Sequence, residues 1–280
     1  MIAARPDLLV IGGLTVDRFA DGSSAPGGSV LHIARAAVPR GLRVAVMTVA
    51  GPEPEARAGL DELRRVTARL DFSEAAATAT FIHRDSPGGR RLRLERSGGP
   101  IRFAGIDSHD TPSAILVAPI ADEVAPDDLA RLDDAPARGA ILQGFLRSIA
   151  ADGEVRPLPL SALSPRLIAQ LSTFDLLVAS REDLLGEAAE PSDQLAALRS
   201  CVGAGPQLVV TDGVHGVWME REHLPVPRRV RGVPSVGAGD VFAAFMLAGG
   251  WPRPPTAGFL RQRAEGAMQV VSEALEERRR

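Results

Sequence analysis

The residues with the clearest chemical capacity are Gly237-Ala238-Gly239-Asp240, followed at once by the apolar run Val241-Phe242-Ala243-Ala244-Phe245-Met246. Two glycines and an alanine before an acid, opening a buried helix, aim several backbone N–H groups at one spot. The helix dipole adds positive potential there. An anion site beside a carboxylate is what phosphoryl transfer to a hydroxyl requires. The plainer alternative is a first-turn acid that only complements the dipole, worth roughly 0.3–1 kcal/mol. The chemical reading needs a pocket facing this turn, supplied by the rest of the chain.

Composition narrows what that pocket can contain. The chain has 280 residues, 45% of them hydrophobic, enough for a full core in one large α/β domain spanning residues 1–280. A net charge of −3 gives no reason to expect nucleic acid or an acidic membrane as partner. The single cysteine, Cys201, excludes an internal disulfide framework and a cysteine-rich metal site. There is no Lys, Asn or Tyr, so all 32 basic residues are Arg. Lysine-based phosphate binding and Schiff-base chemistry are thereby excluded. A phosphoryl group would have to be held by backbone amides, arginine and metal. The histidines (32, 83, 109, 215 and 223) are scattered, with no metal-binding spacing. Residues 1–7 lack a basic stretch leading into an apolar one, and no run is long enough to span a bilayer. The expected location is cytoplasmic.

The elements that must position the turn follow from periodicity. Residues 7–13 read as a buried parallel strand, with Asp17 in the loop beyond its carboxyl end, where ligands sit in open α/β sheets. Asp17 reads equally well as a turn acid capping local N–H groups. Gly27-Gly28-Ser29 precedes a helix over residues 30–37 that carries His32. The double glycine permits close backbone approach, although an ordinary loop with Ser29 as N-cap accounts for it too. Strands are expected over 42–50, 113–120, 139–145, 174–179 and 207–211, and helices over 54–70, 126–132, 165–171, 192–201 and 264–275. Residues 77–83 and 90–95 alternate around Ser86-Pro87-Gly88-Gly89 as a hairpin. The strand ending at Thr211 turns through Asp212-Gly213-Val214-His215-Gly216 into a second hairpin. Arg228, Arg229 and Arg231 read as a solvated edge, and residues 276–280 as a frayed charged tail. Strands alternating with helices predict a three-layer αβα arrangement around a doubly wound, mostly parallel sheet.

With these pieces in order, the sequence resembles the ribokinase-like (PfkB-type) carbohydrate and nucleoside kinases over nearly its whole length. Asp17 follows the first strand and Gly27-Gly28 precedes a helix. Gln143-Gly144-Phe145-Leu146-Arg147 with Asp152-Gly153 matches the segment after the middle strand. Thr211, Gly213 and Gly216 match the nucleotide-side turn, and Gly237-Ala238-Gly239-Asp240 the C-terminal signature. The resemblance implies transfer of the γ-phosphoryl of ATP to a small polyol. Asp240 would be the general base and the Gly237, Ala238 and Gly239 amides the anion hole. Asp17, Gly27, Gly28 and His32 would bind the substrate, and Thr211, Gly213 and Gly216 the nucleotide. Mg²⁺ would be held mostly through water, with Ser180 and Asp183 nearest.

The departures from that pattern are specific. Pro234 and Val236 stand where the family has an acid and a Thr. The family's Asn-x-x-Glu motif appears as Ser180-Arg181-Glu182-Asp183, and His32 replaces an expected Asn. Between Asp17 and Gly27 only nine residues remain (27 − 17 − 1). That interval predicts a lid that is absent or reduced to a loop, hence a monomer, and lidless relatives of this kind suggest a cyclitol or compact sugar. The lost polar positions leave open a catalytically weak ligand-binding or sensing protein, and a nucleoside kinase is a further alternative.

Overall fold

A strand made only of apolar residues has to be covered on both faces. In the computed structural model, which describes residues 5–86, 89–103, 112–220 and 222–279, β1 (Leu8–Gly12) is such a strand. Leu8 and Val10 enter one apolar cluster, Leu9 and Ile11 another. The chain continues through β2 (Thr15–Arg18), β3 (Ser24–Gly27), α1 (Ser29–Ala37), β4 (Val44–Ala50), α2 (Pro54–Val66), β5 (Arg69–Glu74), β6 (Ala79–Ser86), β7 (Gly89–Arg96) and β8 (Ile115–Ala118). Next come α3 (Pro126–Leu129), β9 (Arg138–Ile141), β10 (Arg147–Ile149), β11 (Val155–Pro157), α4 (Pro165–Leu171), β12 (Leu176–Ser180) and α5 (Pro191–Val202). It ends with β13 (Gln207–Thr211), β14 (Val217–Met219), β15 (Glu222–Leu224), α6 (Ala238–Leu247) and α7 (Ala257–Glu277).

Nine strands form the central sheet in the order β15-β14-β13-β12-β9-β8-β1-β4-β5. The pairs from β13 to β5 are parallel, and β14 and β15 add an antiparallel edge. Helices α1, α2, α6 and α7 cover one face and α3, α4 and α5 the other. This is the expected three-layer, doubly wound α/β arrangement. Its neighbours place β1 between β4 and β8, so the crevice of the switch point opens over the carboxyl end of β1. Among the described residues no helix is long and apolar enough to cross a membrane.

The expectation of a lid absent or reduced to a loop is corrected. A second sheet of four strands, β3-β2-β6-β7, stands on the carboxyl side of β1. The nine-residue interval suffices because Phe19 to Ser23 closes as a tight turn, with Phe19 N–H on Ser23 O at 2.9 Å and Asp21 accepting from the Ser23 N–H. That leaves four residues for each of β2 and β3, and β6 completes the sheet by parallel pairing with β2. The lid is small rather than missing, and Asp17 lies within a strand, not a loop. The turn between β6 and β7 at Pro87-Gly88 falls outside the described residues, as does His109. Two other expectations shift. The helix from Pro54 stops at Val66, and Leu70 belongs to β5, because an apolar residue at one position serves either period. The charged tail is docked: Glu276 pairs with Arg228 at 2.9 Å and Glu277 with Arg40 at 2.9 Å.

Gly28 separates the two halves of this junction. Its φ is 99°, and an added Cβ would overlap the Gly13 carbonyl oxygen. Gly22 also has positive φ, 84°, but open space around it. Gly28→Ala should therefore cost at least about 2 kcal/mol more than Gly22→Ala in urea unfolding. Equal midpoints would remove the close-approach argument.

Candidate active site

Helix α6 begins at a turn only glycine makes cheaply. Its N-cap, Gly237, has φ 78°, and a Cβ there would overlap the His32 ring. The Ala238 N–H closes the turn on Ser235 O at 3.0 Å, so that amide orders the loop rather than standing free. Among the described residues no acceptor takes the N–H groups of Gly237, Gly239 and Asp240. The space above Gly239 is open, with nothing within 4 Å of an added Cβ.

Asp240 occupies the first turn and is 9% exposed. Ser29 Oγ donates to its Oδ1 at 3.0 Å across 211 residues of sequence. Burial pushes the carboxyl up to about 6 from its ordinary 3.8, and the Asp183 charge adds to this. The Ser29 hydrogen bond and the charges of Arg147 and Arg278 pull the other way. Such a value keeps the group ionised at neutral pH while making it a better proton acceptor than a solvated Asp.

Facing this turn are α1 and the small sheet β3-β2-β6-β7. Asp17 is buried, its Oδ1 accepting from Thr15 Oγ1 at 3.1 Å and lying 3.2 Å from His83 Nε2. A Cβ on Gly27 would overlap the Asp17 carboxylate. The family resemblance implies that Gly27 and Gly28 bind the substrate. In the structure their missing side chains admit Asp17 and the Gly13 backbone. His32 lies one turn into α1 against Gly237. Ser29 and His32 thus tie the Asp17 region directly to the Gly237–Asp240 turn.

Arg147 joins the remaining parts. Its Nη1 donates to Ile120 O at 2.9 Å, and its guanidinium lies 5.9 Å from the Phe81 ring of β6. Its charge acts on both Asp240 and Asp183. The hairpin it opens also grips the small sheet, with Leu94 N–H on Gly153 O at 2.8 Å and Arg93 Nε on Asp152 O at 2.7 Å.

Thr211, expected on the nucleotide side, ends β13, with its hydroxyl toward Ala179 O at 3.4 Å. Gly213 (φ 53°) is exposed with open space, whereas Gly216 (φ 112°) packs on the Leu224 carbonyl. Arg181 and Asp212 pair at 3.2 Å across this end. Ser180 and Asp183 form a reciprocal cap of the 3-10 turn Arg181–Leu184: the Glu182 N–H donates to Ser180 Oγ and the Ser180 N–H to Asp183 Oδ2, both at 3.2 Å. Among the described residues no three His, Cys, Asp or Glu side chains are grouped to hold a metal. A cation carried mainly by donor phosphates and water needs one or two carboxylates, and Asp183, whose charge reaches Asp240, suits that mode.

Several residues here escaped the sequence reading. Thr15 had a signal, since it alternates with Asp17 on one strand face. Ser29 had one in directly following the glycine pair. Arg147 had one in closing the Gln143–Arg147 segment, though no role was attached to it; His83 and Arg278 had none, because only long-range packing brings them in.

No protein-family model matches the sequence, and no curated protein does. Solved structures do. The chain is similar to a pyrophosphate-dependent kinase in the ribokinase family, complexed with a pyrophosphate analog and myo-inositol (TM-score 0.75, 17% identity, 96% of this chain and 95% of that one). It is similar to ribokinase of Arabidopsis thaliana complexed with ribose and ATP (0.67, 15%, 98% and 99%). It is also similar to adenosine kinase of Schistosoma mansoni in complex with 2-fluoroadenosine (0.71, 10%, 97% and 96%). The chain has the ribokinase-like fold.

Proposed function

We propose that this chain is a kinase that transfers the terminal phosphoryl group of ATP to a hydroxyl of a small polyol, a sugar or cyclitol. The observation that carries this reading is the buried carboxylate of Asp240 in the first turn of α6, beside open amides and within the field of Arg147. The acceptor oxygen attacks the terminal phosphorus while its proton passes to Asp240. The bond from phosphorus to the bridging oxygen breaks, and ADP leaves with that electron pair. The Gly237, Gly239 and Asp240 amides, the turn closed by Ala238, and Arg147 stabilise the charge on the transferred group. Ser29 orients Asp240. Asp17, held by Thr15 and His83, binds acceptor hydroxyls beneath the small sheet, with Gly27, Gly28 and His32 shaping that wall. Thr211, Gly213 and Gly216 form the nucleotide side, with Ser180 and Asp183 nearest the phosphates. Mg²⁺ bound there through water would neutralise phosphate charge.

Leu185 and Val214, 56% and 53% exposed beyond the carboxyl ends of β12 and β13, offer apolar surface to a nucleobase and favour ATP. A second reading, with pyrophosphate as donor, is favoured by the likeness to a pyrophosphate-dependent kinase. The deciding experiment offers ATP, ADP or pyrophosphate with Mg²⁺ to a panel of cyclitols, sugars and nucleosides, with products read by mass spectrometry. A phosphorylated polyol with ATP is expected, and product with pyrophosphate alone would replace the donor. Ligand binding in thermal shift without any phosphorylated product would sink the kinase reading.

The base also sets a pH limit. Ionised Asp240 is the active form, so kcat/KM should fall about tenfold per pH unit as pH drops through about 6. A profile flat down to pH 5 would remove Asp240 as the base.

The monomer expectation keeps support on other grounds. The β7 edge is gripped by the Asp152–Glu154 turn, and β3 sits against α2, where Ser24 Oγ donates to Glu55 at 2.5 Å. Covered edges do not recruit a second sheet. A dimeric mass by light scattering would overturn this.

A further inference from the structure

We propose that Arg278, in the last turn region of α7, is a positioning residue for the phosphate-binding turn. It aims the Gly237 amide and supplies positive charge beside Asp240. The proposal rests on the phosphoryl-transfer reading above.

Arg278 Nη1 donates to Val236 O at 2.7 Å, across 42 residues of sequence. Val236 is the position where a polar side chain was expected, and valine can offer only its carbonyl there. That carbonyl belongs to the same planar peptide unit as the Gly237 N–H. In a trans unit the two groups point in opposite directions. A guanidinium fixed on the oxygen therefore fixes the direction in which the Gly237 N–H points, away from Arg278 and into the turn.

The base from which Arg278 acts is rigid. A small apolar cluster of Ala36, Val241 and Ala274 binds α1, α6 and α7 together. Arg40 adds a polar clamp, donating to Ala36 O at 3.0 Å and pairing with Glu277 at 2.9 Å. The charges around the turn are Asp240, Asp183, Arg147, Arg278 and Arg35, with the imidazole of His32 beside Gly237. Arg35 is neutralised by a two-pronged pair with Glu62, at 2.7 and 2.8 Å. For Arg278 the carboxylate that acts on it is Asp240 itself. Its charge is thus directed at the site rather than spent in a surface ion pair.

The test compares wild type with Arg278→Ala and Arg278→Lys, using Arg279→Ala as a neighbouring control. Inorganic pyrophosphate is titrated calorimetrically, and kcat and both KM values are measured across pH. Arg278→Ala should weaken pyrophosphate binding by about tenfold or more. It should raise the donor KM without moving the acceptor KM, and shift the acid limb of the pH profile upward. Lysine, or millimolar guanidinium ion added to the alanine variant, should restore part of the loss. Wild-type pyrophosphate affinity in Arg278→Ala would overturn the proposal. Equal changes in both KM values, a lowered Tm and no guanidinium rescue would also overturn it by leaving only a structural role. If wild type phosphorylates no acceptor, the functional reading fails, while the pyrophosphate titration still decides the role of Arg278. Wild type that does not bind pyrophosphate overturns the role of Arg278, while product formation from ATP still decides the functional reading.

Discussion

Asp240→Asn should lower kcat by about 10²–10⁴-fold, the usual contribution of a positioned general base, and leave binding of ATP or pyrophosphate nearly unchanged. Asparagine keeps the shape of the side chain, and its Oδ1 can still accept from Ser29 Oγ. What disappears is the proton acceptor. The same substitution should make the fold more stable at neutral pH. Burial raises this carboxyl from 3.8 to about 6, so its ionised form is disfavoured in the folded state. Stability from this group is present below pH 3.8 and is lost as pH rises through about 6, by an amount on the order of 3 kcal/mol. The asparagine variant escapes that loss. Its Tm should exceed wild type at pH 8 and converge with it near pH 4. Unchanged turnover would remove Asp240 from the mechanism. A Tm difference independent of pH would remove the argument from desolvation.

Arg147→Met should lower kcat by about 10²–10³-fold, the scale of deleting one preorganised group that stabilises transition-state charge. Methionine keeps an apolar stem against the Phe81 ring and deletes the charge, which separates electrostatics from packing. Without lysine in the chain, arginine must carry this task, and Arg147 faces both Asp240 and Asp183. Its removal also takes away a charge that lowers the Asp240 pKa, so the acid limb should move to higher pH. Arg147→Lys should recover only part of the rate, because an ammonium lacks the planar fork that grips two oxygens. A kcat within threefold of wild type for Arg147→Met would show that the amides alone suffice.

Much of the fold was legible because its signals are local. Apolar runs at 207–211 and 165–171 read as the strand Gln207–Thr211 and the helix Pro165–Leu171 found in the structure. The turn at Gly237 to Asp240 was legible too, since glycine, glycine and an acid ahead of an apolar run leave few other conformations. The small sheet was not. Four-residue strands such as Thr15–Arg18 show little periodicity of their own, and β2 becomes a strand through pairing with β6, far along the chain.

By itself, then, the sequence determined the layered α/β class, the turn at Gly237 to Asp240 and the exclusion of lysine chemistry. These depend on residue type and short-range spacing. The tertiary structure alone decided that Ser29 holds Asp240, that His83 meets Asp17, and that the charges of Arg147 and Arg278 act on Asp240. It also decided the proton affinity of Asp240. Desolvation and charge act through space, and no spacing along the chain encodes how deeply a carboxylate is buried.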